Sequence, residues 1–167
     1  MRILGIDPGY AIVGYGVLEF DNVRFNVVNY GAVTTKPETP FDERLLEIYT
    51  DMCSILDKFT PDCMSIEKLY FNTNLTTGIE VAHARGVIML AAAERKIPIF
   101  EYTPLQVKVA VTGYGRAEKH QMQEMVKNIL HLNAVPKPDD TADALAIAIC
   151  HGHTGGSKLS EIMRENK

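Results

Sequence analysis

The chain has no hydrophobic run approaching the length needed to span a bilayer, and it begins directly with a strand-like segment that lacks the layout of a signal peptide. Cysteine is scarce. Cys53, Cys63 and Cys150 are an odd number with no CxxC pair, which fits small core residues in a reducing, cytoplasmic setting. Positive charge is not in excess: 17 Lys and Arg against 21 Asp and Glu leave a formal net charge of −4. Such a balance argues against a protein that coats nucleic acid nonspecifically, though it permits a local basic face. There is no internal repeat, no low-complexity segment and no linker that would split the chain. Its 167 residues, 46% hydrophobic and 23% charged, suit one globular domain with a real core.

Periodicity orders the elements. Arg2 to Asp7 reads as a buried strand, and Val13 to Phe20 and Val23 to Val33 as two more, joined by a hairpin turn at Asp21-Asn22. Leu45, Ile48, Tyr49, Met52, Ile55 and Leu56 form one stripe of a helix over Phe41 to Phe59, broken by Thr60-Pro61-Asp62. A fourth strand covers Cys63 to Glu67, a long helix Leu75 to Lys96, and a short fifth strand Ile97 to Tyr102. Pro104 opens a helix through Val111. Glu118 to Leu132 is amphipathic, and Asp140 to Cys150 is a buried final helix. The order predicts an α/β domain: a mixed five-stranded sheet with helices on both faces over residues 1–151, followed by a loose polar tail over 152–167.

Four acids stand out because each lies where an apolar element begins or ends: Asp7, Glu67, Asp140 and Asp143. A carboxylate left unpaired at the edge of a core is costly. Several that converge need a counter-charge, which divalent cations with oxygen ligands supply, and paired cations hydrolyse phosphodiesters. Singly, each acid has a plainer reading. Asp7-Pro8-Gly9 is good turn sequence, Asp140-x-x-Asp143 resembles a helix cap, and Glu67 is compatible with a strand end meeting solvent or pairing with Lys68. Together they point to a site, since open α/β sheets form sites outside the carboxyl ends of their strands. Asp140 and Asp143 lie on one helical face roughly 5–6 Å apart.

The ordered motifs resemble the RuvC family of Holliday-junction resolvases. They are Ile3-Leu4-Gly5-Ile6-Asp7-Pro8-Gly9, Gly14-Tyr15-Gly16, Ile66-Glu67 with Tyr70-Phe71 and Asn74, Ala84-Arg85-Gly86-Val87, and Glu101-Tyr102-Thr103-Pro104. Gln106-Val107-Lys108, Gly113-Tyr114-Gly115, Ala117-Glu118-Lys119 and Asp140-Thr141-Ala142-Asp143-Ala144-Leu145-Ala146 complete the set, which covers nearly the whole chain. The resemblance implies a ribonuclease-H-like fold and a crossover junction endodeoxyribonuclease of homologous recombination and DNA repair. It implies a homodimer that depends on Mg²⁺, with two ions per site and Mn²⁺ as a substitute, and that acts with the RuvA–RuvB branch-migration complex in the cytoplasm. It also gives Asp7, Glu67, Asp140 and Asp143 the catalytic and metal-binding roles.

For DNA, the stretch from Gln106 to Lys127 is locally basic, with Lys108, Arg116, Lys119 and Lys127. From charge alone a solvated helix face is an equal reading; by resemblance Lys108 and Lys119 coincide with DNA-contacting positions. Also by resemblance, Tyr70 takes the place of an aromatic that stacks on an unpaired base at the junction centre, while Phe71 either joins it or fills core. Gly78, Ala82 and Gly86 recur along the long helix as a small-residue face, where the resemblance places the dimer contact. His151 and His153 are a weaker metal candidate. Two rival readings remain. ATPases of the actin and sugar-kinase type also open with Asp, Gly, Gly, but they need a second domain for which 167 residues leave no room. A noncatalytic junction scaffold on the same fold has no reason to keep all four acids.

Overall fold

The computed structural model describes residues 1–69 and 75–155. Strand β1 (Arg2–Asp7) is buried on both sides, as its unbroken apolar run requires. β2 (Ile12–Phe20) and β3 (Phe25–Thr34) form a hairpin whose turn is built by Asp21. Its carboxylate accepts the backbone N–H of Val23 at 2.9 Å and of Arg24 at 2.7 Å, so β3 starts at Phe25 rather than at Val23. Helix α1 (Phe41–Phe59) buries Ile48, Met52 and Leu56 and stops at Thr60, which adopts a left-handed φ of 42°.

β4 (Cys63–Glu67), α2 (Leu75–Glu94) and β5 (Ile99–Tyr102) follow. α3 (Pro104–Thr112) is nucleated by a reciprocal cap: Thr103 Oγ1 accepts the Gln106 N–H at 3.1 Å, and the Gln106 side-chain carbonyl accepts the Thr103 N–H at 2.8 Å. α4 (Lys119–Ile129) and α5 (Asp139–Gly155) complete the chain.

The sheet order is β3-β2-β1-β4-β5. β1 pairs antiparallel with β2 and parallel with β4, and β4 pairs parallel with β5, so the expected mixed five-stranded sheet is present. Alternation along the strands splits the core in two. Leu4, Ile6, Met64 and Ile66 pack against α1 and α2, and Ile3, Cys63 and Tyr102 pack against α3, α4 and α5.

One expectation needs correction. The tail predicted to loosen at 152 does not begin there, because α5 runs on through Gly155. Gly152 is buried where a Cβ would stand 2.4 Å from the Phe25 ring. It is therefore a small residue required by helix packing, not a helix breaker. Residues 156–167 lie outside the described residues. Among the described residues no helix is long and apolar enough to cross a membrane.

Candidate active site

Strand periodicity aims the first two acids. Ile3 and Cys63 face the α3–α5 core, so Asp7 and Glu67, each four residues further along its strand, face the same side. The parallel register pairs Ile6 with Ile66. Asp7 and Glu67 are the next residues, side by side at the carboxyl ends of adjacent parallel strands.

The third element comes close because glycine leaves one face of the sheet bare of side chains. A Cβ on Gly5 would meet the Ala144 carbonyl oxygen at 2.1 Å, one on Gly14 the Asp140 carbonyl oxygen at 2.0 Å, and one on Gly16 the Leu145 side chain at 2.6 Å. Gly14 is the cross-strand partner of Asp7. The first turns of α5 thus rest on bare backbone next to Asp7, which brings Asp143 into the same cleft.

That cleft, about 230 Å³, is lined by Asp7, Glu67 and Asp143, with Lys108 and Lys119 on its rim and Val107, Met122 and Ile147 in its wall. Asp140 is not in the lining. It is half-buried one turn back, close enough for its charge to act on Asp7 and Asp143.

The charges in this cleft are frustrated. Burial, then Glu67, Asp143 and Asp140, push the Asp7 carboxyl up to about 8. Burial also raises Glu67, with Asp143 adding to it. Asp143 is raised by burial, and Lys119 recovers only part of that. Lys119 Nζ lies 3.4 Å from Asp143 Oδ2 and 3.2 Å from Asp139 Oδ2. Partial desolvation opposes its charge, but these two carboxylates outweigh that and hold the ammonium above its ordinary range. Asp139, gripped by Lys137 and Lys119, falls to about 2.

The donor set suits a hard divalent cation. Among the described residues no group of three or more acid, histidine or cysteine side chains is arranged to hold a metal ion by itself. Mg²⁺ does not need one, since it keeps several waters and takes one or two carboxylates. Of the three raised carboxylates only Asp143 is ion-paired, with the partly exposed Lys119, so the cleft is short of positive charge close to its acids, which a divalent ion would supply.

The family model described as crossover junction endodeoxyribonuclease RuvC matches residues 3–151. This chain belongs to that family. The RuvC of Ruminiclostridium cellulolyticum is 57% identical over 154 residues, covering 92% of this chain and 93% of its own. That of Clostridioides difficile strain 630 is 52% identical over 164 residues, 98% and 96% of the two. Among solved structures, Thermus thermophilus RuvC in complex with a Holliday junction substrate matches with a TM-score of 0.85 at 31% identity, covering 93% of this chain and 95% of that one. The yeast mitochondrial Holliday junction resolvase Ydc2, at 17% identity and a TM-score of 0.64, covering 91% of this chain and 79% of its own, shares the fold. The fold is ribonuclease-H-like, and the chain is a nuclease that resolves four-way DNA junctions in recombination and repair.

Within that family, the structure brings three of the four acids predicted from sequence into one cleft, together with Lys108 and Lys119. Arg116 is exposed on the loop after α3, outside the lining, and Lys127 is paired with Glu124 at 3.5 Å. Tyr70 and Phe71 lie outside the described residues. The two C-terminal histidines diverge: His151 is buried with its Nδ1 2.7 Å from the Tyr102 hydroxyl, and His153 is exposed with its Nδ1 3.1 Å from the Ala110 carbonyl.

Sequence reasoning gave no role to Asp139, which shares Lys119, or to Gly5 and Gly14 as the seat of α5. The alternation of Gly5, Gly14 and Gly16 on one sheet face was the available signal. A Cβ at Gly14 would have to displace helix backbone, so Gly14→Ala is expected to destabilise the protein by roughly 1–3 kcal/mol. It should also reduce cleavage further than a core substitution of equal cost remote from the cleft. Thermal melting beside a nicking rate measures both, and a rate that only tracks stability counts against the seating role.

Proposed function

We propose that the chain works as a homodimer whose two sites each hold a pair of Mg²⁺ ions on Asp7, Glu67, Asp140 and Asp143 and nick two strands of like polarity at a four-way junction. The observation that supports this most is Asp7: its carboxyl, raised to about 8 by burial and by the other three acids, sits at the ends of β1 and β4 in a cleft rimmed by lysine. Ions held there, Mg²⁺ or Mn²⁺ in its place, would supply the Lewis-acid chemistry of phosphodiester hydrolysis: a more acidic attacking water and charge stabilisation at the leaving 3′ oxygen.

The rest is done by the chain. Asp7, in one cleft with Glu67 and Asp143, would be the principal residue to hold the ions. Glu67 and Asp143 flank it, and Asp140 adds negative charge from one turn back. Lys108 and Lys119 meet the phosphate backbone across the mouth of the cleft, and the exposed Arg116 extends that positive rim. Tyr70 follows Glu67 closely in the chain and stacks on an unpaired base at the junction centre, worth roughly 1–3 kcal/mol, and Phe71 either joins it or fills core.

The outer face of α2 supports the dimer. Ile79 and Leu90 are 52% and 53% exposed, and nothing lies over Gly86 within 4 Å. A closed two-fold dimer then offers two identical sites to two equivalent strands. The RuvA–RuvB complex is the proposed partner and the cytoplasm the proposed location.

The deciding experiment is a nicking assay on a synthetic four-way junction. Paired nicks with Mg²⁺ and none in chelator support the reading; equal cutting in chelator sinks it. Lys108→Ala and Lys119→Ala are each expected to weaken junction binding and to flatten its salt dependence by about one log–log unit per lost phosphate contact. A slope identical to wild type would remove that lysine from the DNA surface.

A further inference from the structure

Arg85, on α2, has no part in the chemistry above, yet its side chain is only 14% exposed. Its Nε donates to the backbone carbonyl of Glu67 at 3.2 Å, and its Nη2 donates to the carboxylate of Glu101. Glu101 is the β5 partner of Ile66, so the two bonds land on neighbouring strands. They do so where the sheet runs out of support. The β1–β4 pairing ends at Ile6 and Ile66, and β1 continues through Asp7 into Pro8, which has no N–H to donate. β4 is still tied to β5 one step later, by the Lys68 N–H on the Tyr102 carbonyl at 2.8 Å. The Glu67 carbonyl instead takes a donor from a helix.

We infer that Arg85 is a positioning residue for Glu67: by binding its backbone to α2 and, through Glu101, to β5, it fixes the direction in which the Glu67 carboxylate enters the cleft and so sets the affinity of the site for divalent ions. This rests on the reading of Glu67 as a metal ligand. The geometry calls for arginine. Two donors in a rigid fork reach a carbonyl and a carboxylate at once, while a lysine ammonium at the end of a flexible stem reaches one point. Groups that orient a ligand from behind typically change metal affinity or activity by 10–100-fold when removed.

The test uses the full-length protein with Arg85→Ala, Arg85→Lys, Glu101→Gln and Glu67→Gln. Two quantities are read: the Mg²⁺ concentration that half-saturates junction nicking, and the rise in melting temperature that Mg²⁺ produces on protein without DNA. Junction affinity in chelator and the oligomeric state serve as controls. Both Arg85 variants are expected to need about tenfold more Mg²⁺ or higher. They should show a smaller Mg²⁺-induced melting shift and regain part of their cutting at high Mg²⁺, with junction affinity unchanged. Glu101→Gln should move the same way by less. An unchanged Mg²⁺ requirement in Arg85→Ala overturns the inference, and so does full recovery by Arg85→Lys, which would mean that charge alone suffices. If Arg85→Ala does not fold, Arg85→Lys and Glu101→Gln decide. If Glu67→Gln itself binds Mg²⁺ and cuts normally, the ligand role of Glu67 fails. If Glu67→Gln is inactive and the Arg85 variants behave as wild type, only the role of Arg85 fails.

Discussion

Asp7→Asn is expected to bind four-way junctions as wild type does while losing Mg²⁺-dependent nicking by about three orders of magnitude or more, equivalent to about 4 kcal/mol of transition-state stabilisation. Asparagine keeps the shape of the side chain and its place at the end of β1 but removes the anion that a metal requires. Asp7 should be the most sensitive of the four acids because its surroundings act on it from every side: burial first, then Glu67, Asp143 and Asp140. In the proposed reading DNA affinity rests on Lys108, Lys119 and the exposed Arg116, whose side chains the substitution leaves in place. Single-turnover cleavage and junction binding measured on the same preparation check both halves. A variant that cuts at the wild-type rate would end the catalytic assignment.

The same carboxylate should make the metal-free enzyme less stable as pH rises. In the folded chain Asp7 releases its proton near 8, against 3.8 ordinarily. Between those values the folded state carries a proton that the unfolded state has lost, so unfolding free energy falls as pH climbs through this window. Below it both states are protonated and there is no penalty; above it the penalty is constant. Asp7 keeps some contact with solvent, so the cost is on the order of 2–4 kcal/mol, or several degrees in melting temperature for a chain of this size. Metal-free Asp7→Asn should therefore melt above wild type at pH 8 and close to it at pH 4. Mg²⁺ at pH 8 should stabilise wild type markedly and the variant little, because only wild type offers the anion. Equal melting temperatures for the two metal-free proteins at pH 8 would mean that Asp7 is not held in the strained state described.

Much of the architecture was legible because it is periodic. The stripe through Ile48, Met52 and Leu56 defines α1, and the bounds of α1 and β4 read from sequence agree with those observed. The misreadings are local competitions. Asp21 takes the Val23 and Arg24 amides for its turn and delays β3. The tail reads as loose from 152 onward only while the burial of Gly152 against Phe25 is unknown. In the site, the acids were visible as charges at element ends, and the family resemblance linked them. Asp139 went unremarked because its importance lies in sharing Lys119 with Asp143, a contact between α4 and α5 that no local pattern encodes. Arg85 belongs to the Ala84-Arg85-Gly86-Val87 motif, but its two bonds reach other strands, which the motif does not encode.

The amino-acid order by itself determined which segments become strands and helices, that acids would end two strands and open the last helix, and which family the chain resembles, because side-chain periodicity and capping act over a few residues. Only tertiary structure decided that Asp7, Glu67 and Asp143 share one cleft, that Asp140 stands behind it, and that Lys119 lies against the carboxylates. Those relations depend on the parallel register of β1 with β4 and on α5 lying against glycine backbone. Both are set by packing between segments far apart in the chain, where close approach depends on what every neighbour leaves room for.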